Sequence, residues 1–465
     1  MFSAKAISAY NYNMAKNPRQ LPLFLTNDRK ETTENVINID GNALANKLSP
    51  SHRAFHDWYR FVLSYPPHLV GYYLKDFNLS SGDVLLDPFC GTGTSLVEAK
   101  LQGIKSIGME ANPFAHFASS VKVNWEVDPD RLIAAARDIG EACVNILRSQ
   151  GIDDINLTPP NGEVSLIGLD AEAMKLILTD SISPLPLHKV LTLKDLITEH
   201  SQENYFPHLR LAFANALVFT ISNLRFGPEV GVGKKKSDVR VVKSWLDAVS
   251  KITHDLKKVF GKPYPPSDVY LADARRIEEI LPERSINAVI TSPPYPNEKD
   301  YTRTTRLESV LLGFIETKQD LRNFKKGLVR SNTRGVYKAD QDDQWVINHP
   351  EIQRIAEDIE KRRIELGKTS GFEKLYGRVT KLYFGGMARH LVGLRTVLRP
   401  GAYLAYVVGD QASYLRVMIR TGKLLAEIAQ ALEYEVVRID LFRTRFATAT
   451  KQNLREEVVI LRWKG

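Results

Sequence analysis

The chain has 465 residues, of which 43% are hydrophobic and 25% charged, the balance of an ordinary globular protein, and its length predicts two or three lobes. Two cysteines, Cys90 and Cys143, are too few for a disulfide framework or a four-ligand zinc site; with no long apolar run and no evident secretory signal, we expect a cytoplasmic protein without a membrane span. The formal net charge of +9 favours a polyanionic partner.

The first part of the chain predicts an N-terminal extension followed by a βαβ unit. Residues 1–50 show little periodicity, and an amphipathic helical pattern then runs from His52 to Leu79. An apolar strand at 84–86, a glycine-containing loop, a helix from about Ser95 to Leu101 and a strand at 105–109 follow, and the last strand ends at Glu110.

The remainder predicts further strands of the same sheet, separated by two insertions. Residues 126–265 read as a mainly helical insertion, interrupted by the loop GPEVGVGKKKSD, and residues 302–380 as a basic one. Strands recur at 269–271, 287–291, 402–408, 434–441 and 456–462, with a turn at Arg399–Gly401. The last two strands have no helix between them, which predicts an antiparallel hairpin at the sheet edge.

These elements predict an α/β fold: a Rossmann-like, doubly wound sheet of seven strands with an antiparallel edge hairpin and two large, mainly helical insertions. The core of the fold would be assembled from residues 51–125, 266–301 and 381–465.

The first chemical motif is the loop DPFCGTGT, from Asp87 to Thr94, which follows the first strand of the βαβ unit. Ligands bind at the carboxyl ends of strands in open α/β sheets, and Gly91 and Gly93 permit close approach of the backbone. The loop lacks the spacing of a dinucleotide or phosphate loop. Glu110, at the end of the next strand, suits a ribose, because one carboxylate can accept from both hydroxyls. Taken alone, the octet also fits an ordinary tight turn.

The second motif is TSPPY, from Thr291 to Tyr295, which also ends an apolar strand. Its prolines stiffen the backbone and remove two N–H donors, so their carbonyls can point into a pocket as fixed acceptors. Ser292 adds a hydroxyl and Tyr295 a flat stacking face. An exocyclic amino group of a base, with two N–H donors, fits such a set of acceptors. Taken alone, the motif also fits a proline turn that closes a strand.

Both motifs would lie on one edge of the sheet, and here the sequence resembles the amino-methyltransferases of DNA, the N4-cytosine and N6-adenine group. DPFCGTGT is similar to the cofactor loop of that family, and TSPPY to its catalytic tetrapeptide in the serine form, which is commoner among the N4-cytosine enzymes. YPPHLV, from Tyr65, resembles the segment that precedes the loop, and LADA, with Asp273, resembles the acidic position that contacts the cofactor adenine. The two insertions depart from the usual family orders and leave the target-recognition region open.

The resemblance implies an S-adenosylmethionine-dependent DNA methyltransferase that transfers a methyl group directly to an amino nitrogen, expected to be cytosine N4, of a base flipped out of double-stranded DNA. No Pro-Cys dipeptide occurs, which a cytosine-C5 enzyme would need. The implied catalytic residues are Ser292, Pro293, Pro294 and Tyr295. The implied cofactor residues are Tyr65, Asp87, Pro88, Phe89, Gly91, Gly93, Thr94, Glu110, Asp273 and Thr291. No metal spacing occurs among the histidines, and a restriction or defence-system partner is compatible with the family.

Basic stretches supply candidate nucleic-acid contacts, because phosphates and base edges both call for cationic and amide side chains. Those that closely follow TSPPY, together with a lysine run in the helical insertion, give the predicted set: Arg303, Arg306, Arg330, Asn332, Arg334, Lys234, Lys235 and Lys236. For the three lysines, a solvated surface is an equally good interpretation.

Three other functions stay open. One is an N6-adenine DNA methyltransferase. A second is a guanine-N2 transfer-RNA methyltransferase, which carries a similar loop but usually has a separate RNA-binding domain, for which the extension of residues 1–50 is too short. The third is a non-catalytic nucleic-acid-binding protein on the same scaffold, against which the intact Asp87, Gly91, Gly93, Ser292 and Tyr295 argue.

Overall fold

One large sheet organises the chain in the computed structural model, which describes residues 34–36, 52–61, 64–159, 163–227, 229–297, 299–447 and 451–465. In chain order the strands are β1 (Glu34–Val36), β2 (Val84–Asp87), β3 (Lys105–Glu110), β4 (Leu224–Phe226), β5 (Val230–Val232), β6 (Ser267–Leu271), β7 (Ile286–Thr291), β8 (Leu398–Gly409), β9 (Glu435–Ala447) and β10 (Gln452–Arg462). All except β4 and β5 join the large sheet, in the order β1-β9-β10-β8-β7-β2-β3-β6.

The sheet confirms the predicted architecture and adds one strand to it. β10 runs antiparallel to its neighbours β8 and β9, and every other neighbouring pair is parallel. The seven predicted strands are all present, and β1 extends the sheet beside β9. The predicted hairpin of β9 and β10 is therefore followed by one more strand at that edge.

Helices cover both faces of the sheet. They are α1 (Pro67–Asp76), α2 (Thr94–Leu101), α3 (Pro113–Val123), α4 (Pro129–Ser149), α5 (Ala171–Leu176), α6 (Pro184–Glu199), α7 (Phe206–Ala216), α8 (Val241–Val259), α9 (Tyr301–Thr304), α10 (Arg306–Leu311), α11 (Lys318–Lys326), α12 (Pro350–Glu365), α13 (Tyr376–Val397) and α14 (Thr421–Ala431). None of the helices in the described residues is long and apolar enough to cross a membrane.

The central strands are buried on both faces, as their continuous apolar sequences predict. Successive residues alternate between two cores because side chains on a strand point to opposite faces. The core beneath α1 contains Leu85, Ala288, Ile290, Ala405, Val407, Val458 and Ile460. The core beneath α13 and α14 contains Leu86, Val289, Leu404, Tyr406, Val408, Val459 and Leu461.

The two insertions pack onto this frame. Apolar side chains of α4, α6, α7 and α8 continue the core that α2 and α3 begin. Residues 307–324 join the same core, whereas Val329, Trp345 and the apolar face of α12 pack with α13 on the opposite side of the sheet. The second insertion therefore crosses the edge of the sheet between the two cores.

Three local predictions were wrong. The helical pattern from His52 to Leu79 gives a short 3₁₀ turn at His56–Trp58 and then α1, because Pro66 is extended, at ψ 142°, before a second proline. The predicted turn at Arg399–Gly401 lies inside β8, where its pairing with β7 changes register and Gly401 adopts a φ of 90°. The predicted loop GPEVGVGKKKSD contributes β5 to an antiparallel hairpin with β4.

Candidate active site

A cavity of about 520 Å³ opens at the carboxyl ends of the parallel strands. Its wall is formed by the loops after β2, β3, β6 and β7, by residues 324–335 of the second insertion, and by the hairpin of β9 and β10. This is the edge at which open α/β sheets bind ligands. The topology therefore brings the two sequence motifs, which lie about 200 residues apart, to one site.

Most of the predicted site residues line this cavity. All four residues Ser292, Pro293, Pro294 and Tyr295 do so, together with Tyr65, Pro88, Phe89, Gly91, Thr94, Glu110 and Asp273. Three predicted cofactor residues, Asp87, Gly93 and Thr291, are not in the wall and lie behind it.

Asp87 is a fully buried junction between the two motifs. Its Oδ1 accepts hydrogen bonds from Thr291 Oγ1 at 2.6 Å and from the Phe89 backbone N–H at 3.2 Å, and its Oδ2 accepts one from Tyr65 Oη at 3.1 Å. Burial raises the pKa of Asp87, while these donors oppose that shift. The carboxylate thus fixes the relative positions of the loop after β2, the end of β7 and the Tyr65 segment.

The two glycines of the cofactor-like loop have different roles in the structure. Gly91 adopts a φ of 53°, and a methyl group there would meet no atom within 4 Å, so its backbone is open to a ligand. Gly93 adopts a φ of 82° at the start of α2, where a methyl group would lie 3.0 Å from Ser119 Cβ. Gly93 therefore serves the packing of α2 against α3.

Glu110 is held with both carboxylate oxygens oriented. Oε2 accepts from the backbone N–H of Gly91 at 2.8 Å, and Oε1 accepts from that of Asn112 at 2.7 Å. Burial raises the pKa of Glu110 to about 7, against the effect of these two donors. Each oxygen keeps further acceptor capacity, so Glu110 can receive a pair of hydroxyl donors.

Asp273 also lines the cavity, but its charge is matched within the protein. Arg275 donates to both of its carboxylate oxygens, at 2.9 Å from Nε to Oδ1 and 2.6 Å from Nη2 to Oδ2. The same guanidinium reaches Asp342 of the second insertion through Nη1 at 2.6 Å. Asp273 therefore presents a fixed, partly neutralised acceptor to the cavity.

The TSPPY segment presents acceptors and an aromatic ring. Ser292 Oγ donates to the Val407 carbonyl at 3.1 Å, so toward any further partner this hydroxyl acts as an acceptor. Burial, reinforced by the carboxylate of Glu456, raises the pKa of Tyr295 and keeps its phenol protonated. The backbone N–H of Tyr295 donates to Tyr301 Oη at 3.4 Å.

The sequence interpretation missed the residues around Tyr295. A methyl group on Gly409 would lie 3.0 Å from Tyr295 Cε2, so the ring packs directly on the end of β8. Glu456 of β10 lines the same part of the cavity and is held by Arg443 of β9 through two hydrogen bonds of 2.5 and 2.7 Å. The glycine in VVGD, at the carboxyl end of a predicted strand, was the available signal for Gly409.

Several of the predicted nucleic-acid contacts use their donors inside the protein. Arg330 is buried, pairs with both carboxylate oxygens of Asp340 at 2.9 Å and donates to backbone carbonyls. Arg306 donates to the Leu176 carbonyl and to Thr302, and Asn332 donates to the Lys299 carbonyl. These contacts stabilise the loops around the cavity.

The remaining predicted contacts are divided between the surface and a small groove. Lys236 donates to the carbonyls of Thr220 and Ser222, and Lys235 pairs with Asp180 at 2.8 Å, whereas Lys234 is exposed. Arg303 and Arg334 line a groove that shares Lys299, Asp300 and Tyr301 with the main cavity. Arg303 and Arg334 therefore line this groove, whereas Arg306 and Arg330 use their donors inside the protein.

Comparisons with known proteins agree with this geometry. The N6/N4 methyltransferase family model, described as DNA methylase, matches residues 8–119, which include DPFCGTGT. Type II methyltransferase M.BsoBI of Geobacillus stearothermophilus is 26% identical over 431 residues, covering 86% of this chain and 82% of the relative. Type II methyltransferase M.AvaI of Nostoc sp. is 23% identical over 442 residues, covering 88% and 84%.

A further similarity is local. Over 32 residues, or 7% of this chain and 20% of the relative, the sequence is 59% identical to a protein of Methanothermococcus thermolithotrophicus named probable tRNA (guanine(10)-N2)-dimethyltransferase. By contrast, the two Type II methyltransferases align along most of the chain. Two motifs at one cavity, the expected sheet and these alignments together support the resemblance of the chain to the amino-methyltransferases of DNA.

Proposed function

We propose that this protein is an S-adenosylmethionine-dependent methyltransferase that methylates the N4 amino group of cytosine in double-stranded DNA. The observation that carries the proposal is the convergence of DPFCGTGT and TSPPY on one cavity, with Glu110 at the end of the strand between β2 and β6. The loop DPFCGTGT offers backbone that a ligand can approach closely, and TSPPY offers hydrogen-bond acceptors beside an aromatic ring.

The cavity fits S-adenosylmethionine by the chemistry of its donors and acceptors. Its volume of about 520 Å³ lies within the range of small-molecule sites. Glu110 would hold the ribose hydroxyls, Phe89 and Asp273 would flank the adenine, and the open backbone at Gly91 would permit close approach. When bound, the cofactor supplies a methyl group on a positively charged sulfur.

The residues of TSPPY would bind and orient the target base. The ring of Tyr295 offers a stacking face for a base that has left the duplex, which itself costs a few kcal/mol. Ser292 Oγ, whose proton is engaged by the Val407 carbonyl, and the Pro293 carbonyl would accept the two amino N–H groups. These acceptors draw off the positive charge that develops on the amino nitrogen, so alignment and electrostatic stabilisation supply the rate without a covalent protein intermediate.

The family resemblance supports the substrate, and one residue supports the target base. The family description supports DNA as the substrate, and the names of M.BsoBI and M.AvaI support a Type II methyltransferase, with which a restriction or defence-system partner is compatible. Ser292 supports cytosine over adenine, because the serine form of the tetrapeptide is commoner among the N4-cytosine enzymes. Residues 324–335 support the second insertion, 302–380, as part of the DNA-binding region, since they line the cavity. The helical insertion, 126–265, is the second candidate for target recognition.

The test is to sequence DNA from a host that expresses the protein with modification-sensitive reads and to digest the same DNA to nucleosides for mass spectrometry. We expect N4-methylcytosine at one short sequence, and its loss in a host that expresses Ser292→Ala. N6-methyladenine at a defined sequence would replace the cytosine assignment with the adenine one. Unmodified DNA together with methylated transfer RNA would overturn the substrate assignment.

A further inference from the structure

Two cations in the wall of the cavity have no ionic partner in the part of the chain that the structure describes. Lys299 follows the TSPPY segment and Arg445 lies on β9, and both line the cavity. Neither side chain makes an ion pair or hydrogen bond with another described residue, whereas Lys325, Arg330 and Arg443, in the same wall, are each paired with a carboxylate.

The pairing pattern leaves a local surplus of positive charge. The nearby acidic side chains are Glu456, which Arg443 already engages, Asp300, which Lys325 engages, and Glu229, which is exposed. Burial and the positive charge of Arg445 lower the pKa of Lys299, while Glu456 and Glu229 act in the opposite direction. Two cations in one cavity wall, on separate segments and unpaired among the described residues, form an arrangement that an anion would stabilise.

The adjoining groove also carries cations, with Lys299, Arg303 and Arg334 beside the acidic Glu229 and Asp300. Lys299 lines both the cavity and this groove, which also contains Arg303. The Arg303 Nε is buried and has no hydrogen-bond partner among the described residues. Since a buried donor is normally satisfied, this atom also points to a ligand that the protein alone does not provide.

We propose that Lys299 and Arg445 jointly bind one backbone phosphate of DNA beside the target nucleotide, and that Arg303 binds the next phosphate along the groove. This inference rests on the proposed function, which provides the polyanion. Joint binding would also connect the segment after TSPPY to the β9–β10 hairpin through the bound phosphate. Arginine and lysine at such positions fix register on the duplex without reading sequence.

The experiment uses the full chain and a labelled duplex that contains the methylated sequence found by the sequencing test. Affinity is measured by fluorescence anisotropy between about 50 and 200 mM salt, because each neutralised phosphate contributes about 0.9 to the slope of log K against log salt. The variants are Lys299→Gln, Arg445→Gln, their double variant, and Arg303→Gln. Lys105→Gln is the matched control, because Lys105 is exposed and lies at the opposite, amino-terminal end of β3.

The double variant should lose about 0.9 of slope, as for a single shared phosphate, and Arg303→Gln should lose about 0.9 independently. The control should bind like the unsubstituted protein, and melting temperatures should not change. An unchanged slope in the double variant would overturn the proposal. So would weaker binding of S-adenosylmethionine with an unchanged slope, which would assign Lys299 to the cofactor carboxylate. Failure of the proposed function itself would appear separately, as no methylation by the unsubstituted protein.

Discussion

Gly409→Ala should impair methyl transfer by displacing the Tyr295 ring. The added methyl group would lie 3.0 Å from Tyr295 Cε2, 3.4 Å from its Cδ2 and 3.4 Å from Glu456 Cγ. Carbon atoms in contact prefer about 3.5–4.0 Å, so the ring has to move by roughly 0.5–1 Å. Because misplacement of a reacting group by about 1 Å can lower the rate about 100-fold, we expect kcat to fall roughly 10- to 100-fold.

The assay is transfer of a labelled methyl group to duplex DNA, with cofactor affinity measured separately by calorimetry. Gly409 contacts the ring of Tyr295, which is assigned to the target base and not to the cofactor. Cofactor affinity and melting temperature should therefore be retained while kcat falls. Gly371→Ala is the matched control, since a methyl group there would meet no atom within 4 Å. A Gly409→Ala protein with unchanged kcat would refute the view that close packing on the end of β8 positions Tyr295.

Three further predictions follow from the described contacts. Ser292→Ala and Tyr295→Ala should each abolish methyl transfer but leave calorimetric cofactor binding intact; full activity in both would contradict the assignment. Ribose hydroxyls that donate to Glu110 would lower its pKa from about 7, so cofactor affinity should be constant above pH 7 and weaken by up to about tenfold per unit below it, with a flat profile in Glu110→Gln. Arg330→Gln should lower the free energy of unfolding in urea by about 3–5 kcal/mol, because it removes the buried guanidinium that pairs with the half-buried Asp340 carboxylate, whereas Arg303→Gln should change it by less than about 0.5 kcal/mol.

The fold and the two motifs could be predicted from the sequence because they depend on local patterns. Apolar runs that end in Asp87, Glu110 and Thr291 identified strands whose carboxyl ends carry polar residues, and parallel pairing brings such ends together. Failures occurred where neighbours outside the local window decide the outcome. The Pro66–Pro67 pair outweighed amphipathic periodicity, and strand pairing drew Arg399–Gly401 into β8.

Local sequence patterns could not predict which side chains of the site face the cavity and which are enclosed by the protein. Asp87 and Glu110 are both acidic residues at strand ends, yet one is enclosed by three protein donors and the other faces the cavity. The difference depends on whether a tyrosine and a threonine from other segments reach the carboxylate. A motif therefore identifies the strand end correctly without telling which of its side chains meets the ligand.

The same reasoning explains why charge along the chain is a poor guide to a nucleic-acid surface. Arg330 and Arg303 lie in the same insertion and are equally basic, but Asp340 and three backbone carbonyls engage the first, whereas the buried Nε of the second has no partner among the described residues. A guanidinium with all its donors engaged gains little from a phosphate and would expose Asp340 if it moved. Lys299 and Arg445, which the predicted set of contacts did not include, line the same cavity because the segment after TSPPY and the β9–β10 hairpin both contribute to its wall. The number of cations without an acceptor in the cavity wall is therefore a better guide to a nucleic-acid surface than the net charge. A net charge of +9 is compatible with many other arrangements of the same residues.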